Sequence, residues 1–314
     1  MQLKQIKIGN VITKNNVFVA PLAGFTDSAF RSICYSLGAG LCFTEMVSMK
    51  GLKYSPDASV ELLRTEDNEY IKAVQIFGNN PDIMTEMVNS RYLDKFDIID
   101  INFGCPVSKI YSNGEGSFLL SDIPLASKII SQIAKTGKTV TCKFRIGLTE
   151  NNFVTKEFAK MCEDSGAKLI SIHGRVKTAI YSGECNFEQI RLAKNSVKIP
   201  VIANGGIFTK QDAITMIENT GADGIMLARG VLENPLLISE ILGIKPSMSL
   251  KDVIIKQIDM TKNRYGDSRS AVVLRKQMAY YLKGVQGSRK LKQEIFTLNS
   301  AEKMKELFLT TNLF

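Results

Sequence analysis

Cys105 stands in the turn Asn102-Phe103-Gly104-Cys105-Pro106, where a glycine and a proline set a bend directly after an apolar run. A free thiol titrates at about 8.5, so at neutral pH it is mostly protonated. That suits a proton donor better than a nucleophile that needs a thiolate. A buried structural cysteine is the alternative, and Cys142 and Cys162 fit that description better. Gln75, Lys143 and His173 have the chemistry to hold a flavin ring, which offers an N–H donor, two carbonyl acceptors and a nitrogen that becomes negative on reduction. Gln75 can pair the pyrimidine edge, and the Lys143 ammonium can stabilise the developing charge. Taken singly, Gln75 serves equally to cap a loop and Lys143 to pair Glu45. Two glycine turns, Asn204-Gly205-Gly206 and Ala228-Arg229-Gly230, precede helical patterns and can turn backbone N–H groups toward a phosphate. The plainer alternative is that these glycines only permit tight turns. His173 is the only histidine, which excludes sites needing two imidazoles, such as His-Glu-x-x-His zinc hydrolases. The six cysteines contain no Cys-x-x-Cys pair, so no metal site is expected and the thiols are expected to be reduced.

These groups need elements that bring them together. Short apolar, β-branched runs occur at 17–20, 41–46, 72–77, 97–102, 139–144, 168–173, 199–203 and 223–228, starting 24 to 42 residues apart. Each gap carries a helical pattern, for example 156–164 before Gly166 and 210–218 before Gly221, glycines suited to the C′ position of a helix. Apolar strands alternating with helices imply a parallel sheet covered on both faces. Eight repeats in about 240 residues predict a (β/α)8 TIM barrel, an α/β fold, over residues 1–243. The longest interval, 97 to 139, holds the stretch 113–117 and predicts an extended loop at the catalytic face. Residues 250–314 show helical spacing without a strand signal, predicting a small all-helical domain over 244–314 after a linker at 243–249. In such barrels chemistry lies at the C-terminal strand ends. Here those ends carry Pro21 to Gly24, Glu45, Gln75, Asn102 with Cys105, Lys143 with Arg145, His173 with Arg175, Asn204 and Arg229.

Apolar and charged contents of 45% and 23% are those of a folded globular chain and exclude a fibrous or disordered one. No run of about 18 apolar residues is present, so no membrane span is expected. The first residues lack the apolar stretch of a signal peptide, which makes the cytoplasm the expected compartment. The net charge of +9 is uneven: 245–314 holds 14 of the 40 basic residues but 6 of the 31 acidic ones. A basic segment on a nearly neutral body suggests a polyanion partner, most simply nucleic acid, against the alternative of a solvated lysine-rich surface.

The segments 20–31 (APLAGFTDSAFR), 75–81 (QIFGNNP), 100–110 (DINFGCPVSKI), 143–147 (KFRIG), 171–175 (SIHGR), 201–207 (VIANGGI) and 221–230 (GADGIMLARG) occur in that order. Together they resemble the tRNA-dihydrouridine synthase family, in its bacterial branch, over roughly residues 10–240, and 274–284 resembles that family's C-terminal helical domain. The resemblance implies a flavoenzyme with FMN at the barrel mouth and NADPH as reductant, reducing a D-loop uridine of tRNA to 5,6-dihydrouridine. It implies hydride delivery to uracil C6 and a proton to C5 from Cys105. It implies that Pro21, Leu22, Ala23, Gln75, Lys143 and His173 line or bind the flavin, and that Asn204, Gly205, Gly206, Ala228 and Arg229 hold its phosphate. Asn102, Lys109, Arg145, Arg175, Arg275 and Lys276 would contact the target uridine or nearby phosphates. A monomer is the simplest expectation. Two positions depart from the family pattern. Gly206 stands where Asp is frequent, and Gln277 stands where a histidine commonly follows Arg275-Lys276, which implies an altered RNA-facing contact.

Two rivals stand beside this. One is an FMN barrel acting on a free pyrimidine, like a dihydroorotate dehydrogenase, against which the basic C-terminal segment argues. The other is a non-catalytic RNA-binding relic, against which the intact Cys105, Lys109, Gln75, Lys143 and His173 argue.

Overall fold

The structure, a computed structural model, describes residues 2–311 and 313. Eight parallel strands close into a barrel in chain order: β1 (Val17–Val19), β2 (Leu41–Ser48), β3 (Ala73–Phe77), β4 (Ile98–Phe103), β5 (Thr139–Arg145), β6 (Ile170–His173), β7 (Val201–Asn204) and β8 (Gly224–Leu227). Each lies within two residues of an expected run, and helices such as Ser28–Ser36, Thr155–Asp164 and Lys210–Thr220 cover the outside. The last of these ends at Gly221, whose φ of 66° is the left-handed conformation a helix C-terminus favours and a side chain disfavours. A hairpin of Lys7–Ile8 and Val11–Ile12 supplies Ile6 and Ile8 to the apolar cluster of the barrel interior.

Side chains alternate along a strand, so every second residue enters the barrel. The lower interior is apolar, with Phe18, Leu41, Phe43, Ala73, Ile98, Ile202 and Met226 packed together. One step up the same strands come Gln75 after Ala73, Asp100 and Asn102 after Ile98, and Asn204 after Ile202. The switch from apolar to polar at a period of two is what creates a lined mouth above a packed core.

One expectation is corrected. Glu45 does not end β2: a bulge between Phe43 and Met46 carries the strand on to Ser48, and Glu45 turns aside to accept the Gly24 N–H. The 97–139 interval carries a long βα connection between Phe103 and Ile123. It holds a helix at Ser108–Ser112, a 3-10 turn at Gly116–Ser121 and a helix at Ile123–Ala134.

Four helices follow the segment 243–249: Leu250–Tyr265, Asp267–Tyr281, Arg289–Thr297 and Ala301–Thr310. Ser249 and Asp252 form a capping box at the first, satisfying two otherwise orphaned N–H groups. The helices share one apolar cluster with the outer barrel, through residues such as Val253, Ile258, Leu274 and Met278. Arg264 adds polar ties, donating to the Glu61 carboxylate at 2.7 Å and carbonyl at 2.8 Å and to Ser28 Oγ at 3.1 Å. Among the described residues no helix is long and apolar enough to cross a membrane.

Candidate active site

The strand ends open on one cleft, lined by residues from all eight strands or the turns that follow them. Every cofactor position expected from the sequence lines it: Gln75, Lys143 and His173 on the floor, Pro21, Leu22 and Ala23 after β1, and beside them Ala228 and Arg229 after the neighbouring β8, with Asn204 to Gly206 after β7. Cys105, Asn102, Arg145 and Arg175 line it as well.

The floor is a hydrogen-bonded set. Gln75 Nε2 donates to Asp100 Oδ2 at 2.7 Å, and Gln75 Oε1 accepts from Asn102 Nδ2 at 2.7 Å. One amide N–H of Gln75 is left over for a ligand carbonyl. Lys143 does not pair Glu45; its ammonium donates to Asn204 Oδ1 at 3.2 Å, and Asn204 is fixed by donating to the Met226 carbonyl at 2.7 Å. Burial, helped by the Arg145 charge and opposed by Asp100, brings the Lys143 pKa down to about 8. Burial, followed by the charges of Lys143 and three arginines, holds His173 well below the usual imidazole range, so it is neutral. Its Nε2 lies 3.3 Å from Arg175 Nη1, which can only donate, so Nε2 accepts and the proton sits on Nδ1.

Cys105 is 8% exposed, and burial pushes its thiol up against the opposing Val107 N–H and the Arg145 and Lys143 charges. The thiol is therefore the resting form at neutral pH. The 113–117 stretch supports it from behind. Ser117 donates both its N–H, at 3.2 Å, and its hydroxyl, at 2.8 Å, to the Cys105 carbonyl. Asn102 Oδ1 accepts the N–H groups of Gly104 and Cys105 at 3.1 and 2.9 Å. Asn102 thus anchors the cysteine turn as well as facing the cleft.

Arg145 and Arg175, expected to contact the uridine, line the cleft and also hold main-chain carbonyls. Arg145 donates to the carbonyls of Gly104, Val176 and Ile180 at 2.8 to 2.9 Å, so its guanidinium is a backbone clamp. Arg175 likewise holds the Ser182 and Gly183 carbonyls. Between them the loop presents Tyr181 to the cleft, with Arg229 stacked 5.0 Å from its ring centroid. Ile180 carries a φ of 50°, costly for a β-branched residue, and the Arg145 bond to its carbonyl helps hold that strain. Tyr181, Phe208 and Met46 also line the cleft and were not read from the sequence. An aromatic six residues beyond Arg175 was a legible signal for the first; Met46 enters only because of the β2 bulge.

Lys109 and Lys276 are exposed and lie outside the cleft lining. Arg275 is turned inward, donating to the Leu298 carbonyl at 2.9 Å and Asn299 Oδ1 at 3.2 Å. Gln277 is buried and donates to the Leu232 carbonyl at 3.0 Å, against the expectation that it faces RNA. The helix turns residue 277 toward the barrel while Lys276 faces solvent.

The donor set suits a flavin phosphate and an electron-rich ring. The lining contains Lys143, Arg145, Arg175 and Arg229 but no carboxylate. Gly205 and Gly206 donate their N–H groups to no acceptor among the described residues. At Gly205 (φ 127°) a Cβ would meet His173 Cδ2 at 3.0 Å and Cys185 Sγ at 3.1 Å. At Gly206 (φ 70°) the nearest atom would be Arg175 Nη2 at 3.7 Å. Asp and Asn are the side chains that best tolerate that conformation, so an aspartate at 206 and the glycine found here both fit. Gly205→Ala is expected to weaken flavin retention at least about tenfold and Gly206→Asp by less, since both take a left-handed φ, with strain of about 1–3 kcal/mol, but only the first also crowds its neighbours. Flavin fluorescence titration would check both; equal losses would remove the distinction.

A family model described as dihydrouridine synthase matches residues 18–313. Over 291 residues the chain is 35% identical to "tRNA-dihydrouridine synthase B" of Pasteurella multocida, covering 90% of this chain and 88% of that protein. Over 312 residues it is 35% identical to "Probable tRNA-dihydrouridine synthase" of Rickettsia typhi, covering 96% and 95%. Among solved structures, histamine dehydrogenase from Rhizobium sp. 4-9 is similar with a TM-score of 0.60 at 15% identity, over 82% of this chain and 50% of that one. The old yellow enzyme homologue from Zymomonas mobilis gives 0.57 at 14%, over 78% and 94%. At such identities these two bear on the fold alone.

Proposed function

The chain belongs to the dihydrouridine synthase family, and from that premise we propose how its barrel mouth works: a flavin and a uracil meet in the cleft, and Cys105 protonates the uracil. The protein is a flavin-dependent oxidoreductase that forms dihydrouridine in tRNA. One observation carries the assignment of roles: the buried Cys105 borders a cleft whose ionic lining, among the described residues, is wholly cationic. A flavin, when bound, supplies the hydride for uracil C6. Cys105 holds a proton on Sγ and gives it to C5. Lys143 holds positive charge at the barrel axis, where it stabilises an electron-rich ring. Gln75 offers its spare N–H to a ring carbonyl, and neutral His173 offers Nδ1–H. Gly205, Gly206 and the Ala228–Arg229 turn receive the phosphate. A single anion site after β7 and β8 favours FMN. Pro21 to Ala23, Tyr181 and Phe208 exclude water.

NADPH as reductant, a D-loop uridine as target, action as a monomer and a cytoplasmic setting complete the proposal. A uridine reaches the cleft only by leaving its stack, which costs a few kcal/mol. Phosphate contacts from 244–314, which we assign as the tRNA-binding domain, offset that cost; the concentration of basic residues there supports it. Exposed Lys276 and Lys109 remain candidates for this grip. Arg275 contributes by packing, and Arg145 and Arg175 by shaping the loop that meets the uridine. Lys276→Ala is expected to weaken tRNA binding and lower the log K against log salt slope by about one. An unchanged slope in filter-binding assays would remove Lys276 from the interface.

Incubating the protein with an unmodified tRNA transcript, FMN and NADPH tests the whole. Mass spectrometry should find a gain of two hydrogens at one uridine. Flavin bound and NADPH oxidised without that gain, on native unmodified tRNA also, would favour a free pyrimidine as substrate.

A further inference from the structure

Asp100 lies beneath the cleft floor, 1% exposed, and no role given above uses it. Strand register sets it beside Gln75 on β3 and Thr141 on β5. Its Oδ2 accepts from Gln75 Nε2 at 2.7 Å and its Oδ1 from Thr141 Oγ1 at 2.6 Å. Packing does not call for a carboxylate here, since the inward positions one step below on β3 and β4, Ala73 and Ile98, are apolar. A buried carboxylate is costly unless hydrogen-bonded, and this one is bonded on both oxygens.

An ionised carboxylate only accepts, so Gln75 must turn its NH2 toward Asp100. Its oxygen then faces Asn102 Nδ2, and Asn102 must turn its own oxygen the other way, onto the N–H groups of Gly104 and Cys105. The chain ends in groups that only donate, so both ends demand the same polarity, and reversing either amide would oppose like groups at two contacts. Such directed chains transmit position because no link can flip alone.

We propose that Asp100 is a positioning residue: it anchors the Gln75 amide and, through Asn102, reinforces the polarity that the Gly104 and Cys105 N–H groups also demand, and so couples the ring-binding floor of the cleft to the placement of Cys105. Its catalytic meaning rests on the proposed function; the coupling itself does not.

The test is alkylation of Cys105 by iodoacetamide in the purified protein, located by peptide mass spectrometry. Asp100→Leu removes the acceptor, releases the Cys105 turn and is expected to raise the labelling rate at least about fivefold, because access governs thiol reactivity. Asp100→Asn keeps an acceptor for Gln75 and is expected to stay within about twofold of the parent by the same reasoning. Gln75→Leu cuts the chain one link on and must behave as Asp100→Leu does, which keeps the test decisive if the latter does not fold. Equal labelling of a folded Asp100→Leu or Gln75→Leu protein and the parent would overturn the proposal, as would Asp100→Asn matching Asp100→Leu. In single-turnover oxidation of the reduced protein by tRNA, Asp100→Leu should cost little more once Cys105→Ala is present, the non-additivity of groups that act as a unit. Full additivity would overturn the coupling. A parent protein that leaves tRNA unreduced would sink the proposed function, while the labelling would still decide the coupling.

Discussion

Cys105→Ala is expected to lower tRNA reduction about 10²–10⁴-fold while leaving flavin content and the rate of flavin reduction by NADPH within a factor of about two. The substitution removes one sulfur from the edge of the cleft. The turn around it stays bonded through main-chain groups: the Cys105 N–H to Asn102 and the Cys105 carbonyl to Ser117. What is lost is the acid. Because burial raises the thiol's pKa, the acid form persists above the ordinary thiol range. Activity should therefore hold through neutral pH and fall only on the alkaline side, as the thiol loses its proton. Stopped-flow measurement of the two half-reactions separates the effects. A variant that reduced tRNA at the parent rate would end the proton-donor assignment, and an equal loss in both half-reactions would mean a damaged flavin seat.

Much of this was legible beforehand, for a physical reason. A barrel strand buried on both sides reads as an apolar run, and eight such runs at helix-sized intervals leave few topologies. The cleft residues were legible because barrel geometry sends every strand end to one rim, so Gln75, Lys143, His173 and Asn204 needed no tertiary information to be gathered. The arginines were not legible. A guanidinium on a long stem takes whatever carbonyls the fold brings near, and only the fold puts Val176 and Ile180 within reach of Arg145, or Leu298 within reach of Arg275. The β2 bulge was hidden too, since adding a residue to a strand changes no composition signal. Gln277 was misread because adjacent helix positions face different directions: 276 meets solvent, 277 meets the barrel. Polar residues at a period of two were the informative pattern; charge alone said little about where a side chain would point.

The other large effect belongs to Lys143→Met, which keeps the stem and deletes the charge. Among the described residues no carboxylate forms a salt bridge with this ammonium. Its one side-chain hydrogen bond goes to the neutral amide of Asn204. A buried cation with no ionic partner within contact is poised for negative charge arriving in the cleft, and removing a preorganised group of that kind costs about 10²–10³ in rate. Loss of that order is expected in flavin reduction by NADPH, with weaker flavin retention. The pH dependence has a definite sign. Since the Lys143 pKa is brought down to about 8, the free protein loses this charge as pH rises through that value, and flavin affinity should fall there. A bound electron-rich ring favours the ammonium and moves the break upward, so the shift itself measures their interaction. Lys143→Met should bind flavin weakly and without that break. A parent protein whose affinity is flat from pH 7 to 9, or a Lys143→Met variant that keeps the break, would show that another group provides the charge.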